Sequence, residues 1–268
     1  VKLYKESLQP LQKVMGVKPR YMTYTLLMPP ETKEKEFKII VDSIHKTALE
    51  LGIAIVGGHT RYYPGFVVTR KDFYVTPAGA KPGDDIILTK GPAIETAGIL
   101  SVLRERELLE KYPSSLINKA KSLCKEMTVV KDALIAVGVG GVTAMHDATE
   151  GGVIGGLFEI ANASNVGMDI DETLFIYPEE VKMVCEAFCI DPVKAIAEGS
   201  LLITANPNCS RKIIKELAKE RIKASIIGKV TDDPNTRIMK RKDGSIIPLH
   251  IPEQDPFWPV FFEGIKGM

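Results

Sequence analysis

The chain has 268 residues, 35 basic and 34 acidic side chains and a net charge of +1. That length buries a substantial core and suits two domains, and the charge balance leaves no footprint for nucleic acid. No stretch of about 18 apolar residues and no signal-peptide pattern occurs, so a cytoplasmic protein with no membrane partner is expected.

The four cysteines (Cys124, Cys185, Cys189, Cys209) form no C-x-x-C pair. Cys185 and Cys189 are spaced i,i+4, which predicts small core residues one turn apart on a helix, not a disulfide or a metal site.

From Val1 onward, residues 3–15 predict a short helix interrupted by Pro10, and Pro19–Met28 an extended run that Pro29 and Pro30 stop. Phe37, Ile40, Val41, Ile44, Ala48 and Leu51 recur at helical spacing, so 31–51 reads as a helix ended by Gly52. His45 falls on it in a surface or packing role. Ile53–Val56 predicts a short strand running into Gly57, Gly58, His59 and Thr60. This is either a phosphate-facing glycine turn with a titratable ring beside it or a plain loop carrying His59.

Strands are expected at Phe66–Thr69, Phe73–Thr76 and Ile86–Thr89, with a turn at Lys81-Pro82-Gly83-Asp84. At Lys90-Gly91-Pro92 the pattern changes from strands to long helices (93–110, 114–126, 129–138), which places a domain boundary there and divides the chain into 1–90, 91–250 and a tail, 251–268. Gly138-Val139-Gly140-Gly141 breaks the last of these helices.

The stretch Met145–Gly156, MHDATEGGVIGG, concentrates the chemistry. The β-type run Val142–Met145 leads through Asp147, Ala148, Thr149 and Glu150 to Gly151 and Gly152. Val153, Leu157, Ile160 and Ala161 then recur at helical spacing. A strand, a glycine turn and a helix N-terminus leave backbone amides facing an anion, and glycines let a phosphate come close. Equally, Asp147 and Glu150, three apart, suit a capping box. The pattern leaves both readings open.

Beyond it, Met168–Ile170 predicts a strand and 178–188 a helix led by Pro178, with Asp191-Pro192 capping another short helix. Ser200–Thr204, 210–221 and Ser225–Val230 form a strand–helix–strand unit, and Asp243-Gly244 closes a hairpin between Arg237–Lys242 and Ser245–Leu249. The aromatic tail (Phe257, Trp258, Phe261, Phe262) is expected to dock on the body.

LGIAIVGGHT, ILTKGPAIETAGIL, MHDATEGGV, CEAFCIDP and EGSLLITANP, in that order, resemble the superfamily of aminoimidazole ribonucleotide (AIR) synthetase, the hydrogenase-maturation protein HypE, thiamine-monophosphate kinase and selenophosphate synthetase. Its archaeal AIR synthase-related, HypE-like branch is the nearest match, over about residues 16–250. The resemblance implies an α+β, PurM-like two-domain architecture. An N-terminal β-rich domain would dimerise, and a C-terminal α/β sandwich-like domain would follow. It implies ATP and Mg²⁺ in a cleft, used to activate or phosphorylate a small-molecule amide, carbonyl or hydroxyl group. Gly57, Gly58, His59, Thr60, Thr149, Gly151 and Gly152 would face the phosphates, and Asp147 and Glu150 the metal.

Three family features have no match here. The metal-holding Asp-Asp-Ala turn would precede Val1, Gln9-Pro10-Leu11-Gln12 stands where Asn and Asp face the metal, and FFEGIKGM carries no acceptor cysteine for carbamoyl dehydration. A non-catalytic dimeric paralogue, serving as scaffold or nucleotide sensor, is therefore the alternative expectation.

Overall fold

The computed structural model describes residues 21–24, 34–50, 52–58 and 75–266. His59, Thr60, residues 3–15 and the strand expected at Phe66–Thr69 lie outside them. Strand β1 (Tyr21–Tyr24) is followed by helix α1 (Glu34–Glu50) and by β2 (Ala54–Gly58), which pairs with β1 in parallel. Helix α1 buries Ile44 and Ala48 and exposes His45, as its spacing predicts. Gly52 ends it at φ +70, a left-handed conformation glycine adopts without penalty. Strand β2 runs past Val56 to Gly58, so Gly57 and Gly58 pair with Thr23 and Tyr24 as strand residues.

The Lys81–Asp84 turn forms as expected, with the Asp84 amide on the Lys81 carbonyl at 3.0 Å and Gly83 at φ +90. Then follow β3 (Asp85–Thr89), α2 (Ile94–Leu103), α3 (Glu105–Leu109), α4 (Ser114–Ser122) and α5 (Val130–Val139). The single helix expected over 93–110 is two, broken at Arg104. Strand β4 (Val142–Asp147), α6 (Gly152–Ser164), β5 (Gly167–Asp171) and α7 (Glu179–Ala187) come next. The chain closes with β6 (Leu201–Ala205), α8 (Pro207–Lys219), β7 (Ala224–Thr231), β8 (Arg237–Lys240), β9 (Ile246–Pro248) and α9 (Phe257–Lys266). Asp191-Pro192 opens a turn, not a helix; the Asp191 carboxylate accepts the Val193 amide at 3.3 Å and pairs with Arg241.

Seven strands make one sheet in the order β4-β6-β3-β7-β5-β8-β9, antiparallel except for β5 with β8. Strands β3 and β6 are buried at every position because helices cover both sheet faces there. Ile86 and Leu88 point to the α6 side with Val153, Ile154, Leu157 and Ile160. Ile87 points to the other side, against Ala133 and Ala136 of α5 and Ile213 and Leu217 of α8. A third cluster gathers α2, α4, α7 and α9 around Ile94, Leu100, Ile117, Val184 and Phe257.

The sequence reading sets residues 85–89 on the N-terminal side of Lys90. The strand lies instead in the middle of the seven-stranded sheet, and its partners β6 and β7 come from beyond residue 200. Its apolar run carries no mark of which strands it joins.

Candidate functional site

Because β4 and β3 both run antiparallel to β6, the ends of β4 and β3 and the start of β6 meet at one edge of the sheet. Three connections converge there, at 90–93, 148–151 and 196–200.

The first is held under strain. Lys90 and Ala93 have φ values of 59 and 53, unusual for residues with a Cβ. The Lys90 ammonium compensates by donating to the carbonyls of Thr128 (2.7 Å) and Gly199 (2.8 Å) and pairing with buried Asp132 at 2.9 Å. Thr89 donates to the same carboxylate at 2.7 Å, and Ser200 donates to the Gly91 carbonyl at 2.5 Å. This network fixes the loop's shape.

The second connection is the glycine turn. Asp147 is the last residue of β4, and the N-cap of α6 is Gly151, which has no side-chain cap. The capping box is therefore not formed. Gly151 and Gly152 take φ values of 78 and 63, and a Cβ on Gly152 would stand 2.6 Å from the Ala195 carbonyl oxygen. Glycine is required there by both conformation and space.

Several amides of the turn already have acceptors. Gly151 donates to the Asp255 carboxylate at 3.0 Å, Gly152 to the Thr149 carbonyl at 2.9 Å and Ile154 to the Val193 carbonyl at 3.0 Å. Glu150 is exposed and accepts the Trp258 indole N–H at 3.3 Å. Of the residues singled out in the sequence, Asp147, Thr149, Glu150, Gly151 and Gly152 share this edge. Gly57 and Gly58 sit in β2, and His59 and Thr60 are outside the described residues.

Three carboxyls escaped the sequence reading: Glu95, Glu198 and Asp255. Glu95, half-buried in the first turn of α2, accepts the Glu198 amide at 2.9 Å. Burial pushes it up to about 7, only partly opposed by that amide, and the charges of Glu198, Asp255 and Asp147 push the same way. Asp255 is 4% exposed. Burial raises it above the usual carboxylate range even though the amides of Phe257, Gly151 and Ile196 favour its charge; Glu150 adds to the rise. Glu95 and Glu198 lie inside motifs quoted above, whereas nothing local marks Asp255.

His146, just before Asp147, places Nε2 2.7 Å from Glu159 and Nδ1 2.5 Å from the Asp147 carbonyl. Burial alone would lower its affinity for a proton, but these contacts and the neighbouring carboxylates outweigh it and the net shift is upward. The His146 bond in turn holds Glu159 below its usual range.

Glu95 carries a testable consequence. Its folded value lies above the usual 4.5, so the folded state retains a proton that the unfolded chain releases. Stability from this group is present below about pH 4.5 and is lost as the pH rises to about 7. Glu95→Gln keeps an acceptor for the Glu198 amide without the charge. Allowing for solvent at a half-buried carboxyl, the variant is expected to gain about 2 kcal/mol at pH 8 and almost nothing at pH 4. Urea midpoints at the two pH values check this; equal gains at both would refute it.

Among the described residues no group of three or more His, Cys, Asp or Glu is arranged to hold a metal. Asp147 and Glu150 are of the right kind for Mg²⁺, which binds one or two carboxylates together with water and phosphate oxygens. By themselves these two carboxylates do not make up a metal site.

A mixed sheet covered by helices, with a glycine turn between a strand and a helix at the ends of its strands, is an α+β architecture. The AIR synthase related protein C-terminal domain model matches residues 81–241, and the N-terminal domain model matches residues 13–79. The chain belongs to the AIR synthase related protein family. It is 26% identical over 251 residues to a Methanocaldococcus jannaschii protein named for hydrogenase expression and formation, covering 91% of this chain and 73% of that one. It is likewise 26% identical over 234 residues to the carbamoyl dehydratase HypE of Escherichia coli, covering 84% of this chain and 68% of that one. In fold it matches a crystal structure of HypE in complex with ATP at a TM-score of 0.68 and 21% identity, over 95% of this chain and 81% of that one. No helix among the described residues is long and apolar enough to cross a membrane.

Proposed function

We propose that this chain binds ATP with Mg²⁺ and uses it to activate or phosphorylate an amide, carbonyl or hydroxyl group of a small molecule. Gly57, Gly58, His59, Thr60, Thr149, Gly151 and Gly152 would attend the phosphates, and Asp147 and Glu150 the metal. Bound Mg²⁺ would neutralise charge developing on the transferred phosphoryl group. The protein's share is positioning: the strained 90–93 loop and the left-handed glycines hold the turn rigid at the sheet edge. We further propose a division near residue 80, with β3 in the second domain, and a cytoplasmic homodimer formed through the N-terminal strands.

The observation that carries this reading is the glycine turn flanked by Asp147 and Glu150, in a member of a family with an ATP-bound relative. A second reading has its own support. The Gly151 amide is engaged by Asp255, which favours a paralogue that keeps the fold as a scaffold or nucleotide sensor.

Calorimetric titration with ATP or a non-hydrolysable analogue separates the two. The enzyme reading expects Mg²⁺-dependent binding in roughly the micromolar range, about tenfold weaker in Asp147→Asn, and turnover with some acceptor. Binding without turnover supports the sensor. No binding with or without metal would sink both nucleotide readings.

A further inference from the structure

Strands β5 and β8 run side by side in parallel, with Asp171 opposite Lys240, so the residues that follow them emerge together. Glu172 comes from the first, and Arg241 and Lys242 from the second. Helix α7 supplies Lys182, Cys185 and Glu186, which share one face at i, i+3 and i+4. The result is a pocket of about 300 Å³ that Tyr177, Ile190 and Pro192 also line.

Two of the acids here are already neutralised from within the protein. Arg241 donates to both oxygens of Asp191, at 3.1 and 3.0 Å, and pairs with buried Glu172 at 2.7 Å. Tyr177 donates its hydroxyl to Glu172 at 2.6 Å, and burial together with that bond keeps it a neutral phenol. The lysines are not so engaged. Lys242 holds its ammonium 3.2 Å from the centre of the Tyr177 ring and 4.0 Å from Glu172. Among the described residues no acceptor lies within hydrogen-bond reach of the Lys242 or Lys182 ammonium. Partial burial lowers the proton affinity of Lys242 by more than Glu172 restores, and Lys182 and Arg241 press the same way. Two neighbouring ammoniums with unused donors, beside the apolar Ile190 and Pro192, suit a ligand with a charged end and an apolar body.

We propose that this pocket binds a small organic phosphate, with its charged group between Lys182 and Lys242 and its apolar part against Ile190 and Pro192. A dianion relieves the repulsion between the two ammoniums, which a neutral ligand does not. Each lysine serves as a point charge, and the Tyr177 ring holds one of the pair in place. The site is separate from the glycine turn. Three strands lie between β4 and β5, so the ends of these two are roughly 19 Å apart at about 4.8 Å per strand. A ligand that fills the pocket does not span both places, and the assignment stands without the nucleotide reading.

Protein-observed NMR of the full chain with phenyl phosphate tests this, with inorganic phosphate and phenol as the charged and apolar halves alone. Phenyl phosphate is expected to shift the amide signals of residues 177–192 and 240–243, and to bind about tenfold more tightly than either half. Lys242→Met and Lys182→Met keep most of the stem and lose the charge, and each should weaken binding about tenfold. Glu186→Gln removes the negative charge left unpaired in the pocket and should tighten binding about threefold. Lys131→Met, on a lysine paired with Glu220 elsewhere, should change nothing. No shift at millimolar phenyl phosphate, equal affinity for either half, or indifference to both lysine substitutions overturns the site. Shifts confined to 148–156 would place the phosphate on the glycine turn; they overturn this pocket and favour the nucleotide reading.

Discussion

Replacing Phe257 with alanine is expected to cost about 4 kcal/mol, the largest effect of any substitution considered for this chain. The ring is 1% exposed and lies in the cluster that joins α2, α4 and α7. Trp258 and Phe261 stand 5.1 and 5.2 Å from it, centroid to centroid, so truncation would leave a cavity bordered by rings that cannot all collapse into it. Urea denaturation measures the loss, and Phe257→Leu, which refills most of the volume, should recover more than half. A cost near that of an exposed residue would mean that α9 does not dock as described. Phe262, 54% exposed on the same helix, is the internal control, and its replacement by alanine should cost little.

Gly152→Ala should follow at about 3 kcal/mol. Part of this is the left-handed φ of 63, which costs a residue with a Cβ roughly 1–2 kcal/mol. The rest is steric. The new carbon would meet the Ala195 carbonyl oxygen at 2.6 Å and the Val193 carbonyl oxygen at 2.8 Å, and both belong to backbone that cannot rotate away. Gly151→Ala shares the unfavourable φ but meets nothing nearer than Pro252 Cδ, at 3.1 Å, and should cost clearly less. Thermal or urea unfolding of the pair gives the comparison. Equal costs would show that conformation alone makes glycine necessary there.

Features set by local rules were readable in the residues. The 3.6-residue spacing of Ile44 and Ala48, the Pro82-Gly83 turn, the Asp243-Gly244 hairpin and the strand–glycine–helix order around Gly151 all depend on neighbours within a few positions, and the structure has each of them. The ordered motifs carried the family. What depends on partners distant in the chain was not readable. The apolar run of β3 is compatible with either domain until β6 and β7 are seen beside it.

The capping box suggested by Asp147 and Glu150 fits the sequence rule but fails in space, because β4 continues through Asp147 and leaves Gly151 as the N-cap. Cys189, expected in the core with Cys185, is exposed because α7 ends at Ala187 and the chain turns outward with Cys189 at φ 52. Glu95, Glu198 and Asp255 lie up to 160 positions apart and meet only because antiparallel pairing brings three loops and the returning tail to one edge of the sheet. The sequence by itself determined the helix that buries Ile44 and Ala48, the Lys81–Asp84 and Asp243-Gly244 turns, the glycine-rich stretch and the family, since those rest on local periodicity and motif order. Only the tertiary structure decided which carboxyls share the site and that the tail lies across it, because burial and charge crowding exist only once distant segments are packed together.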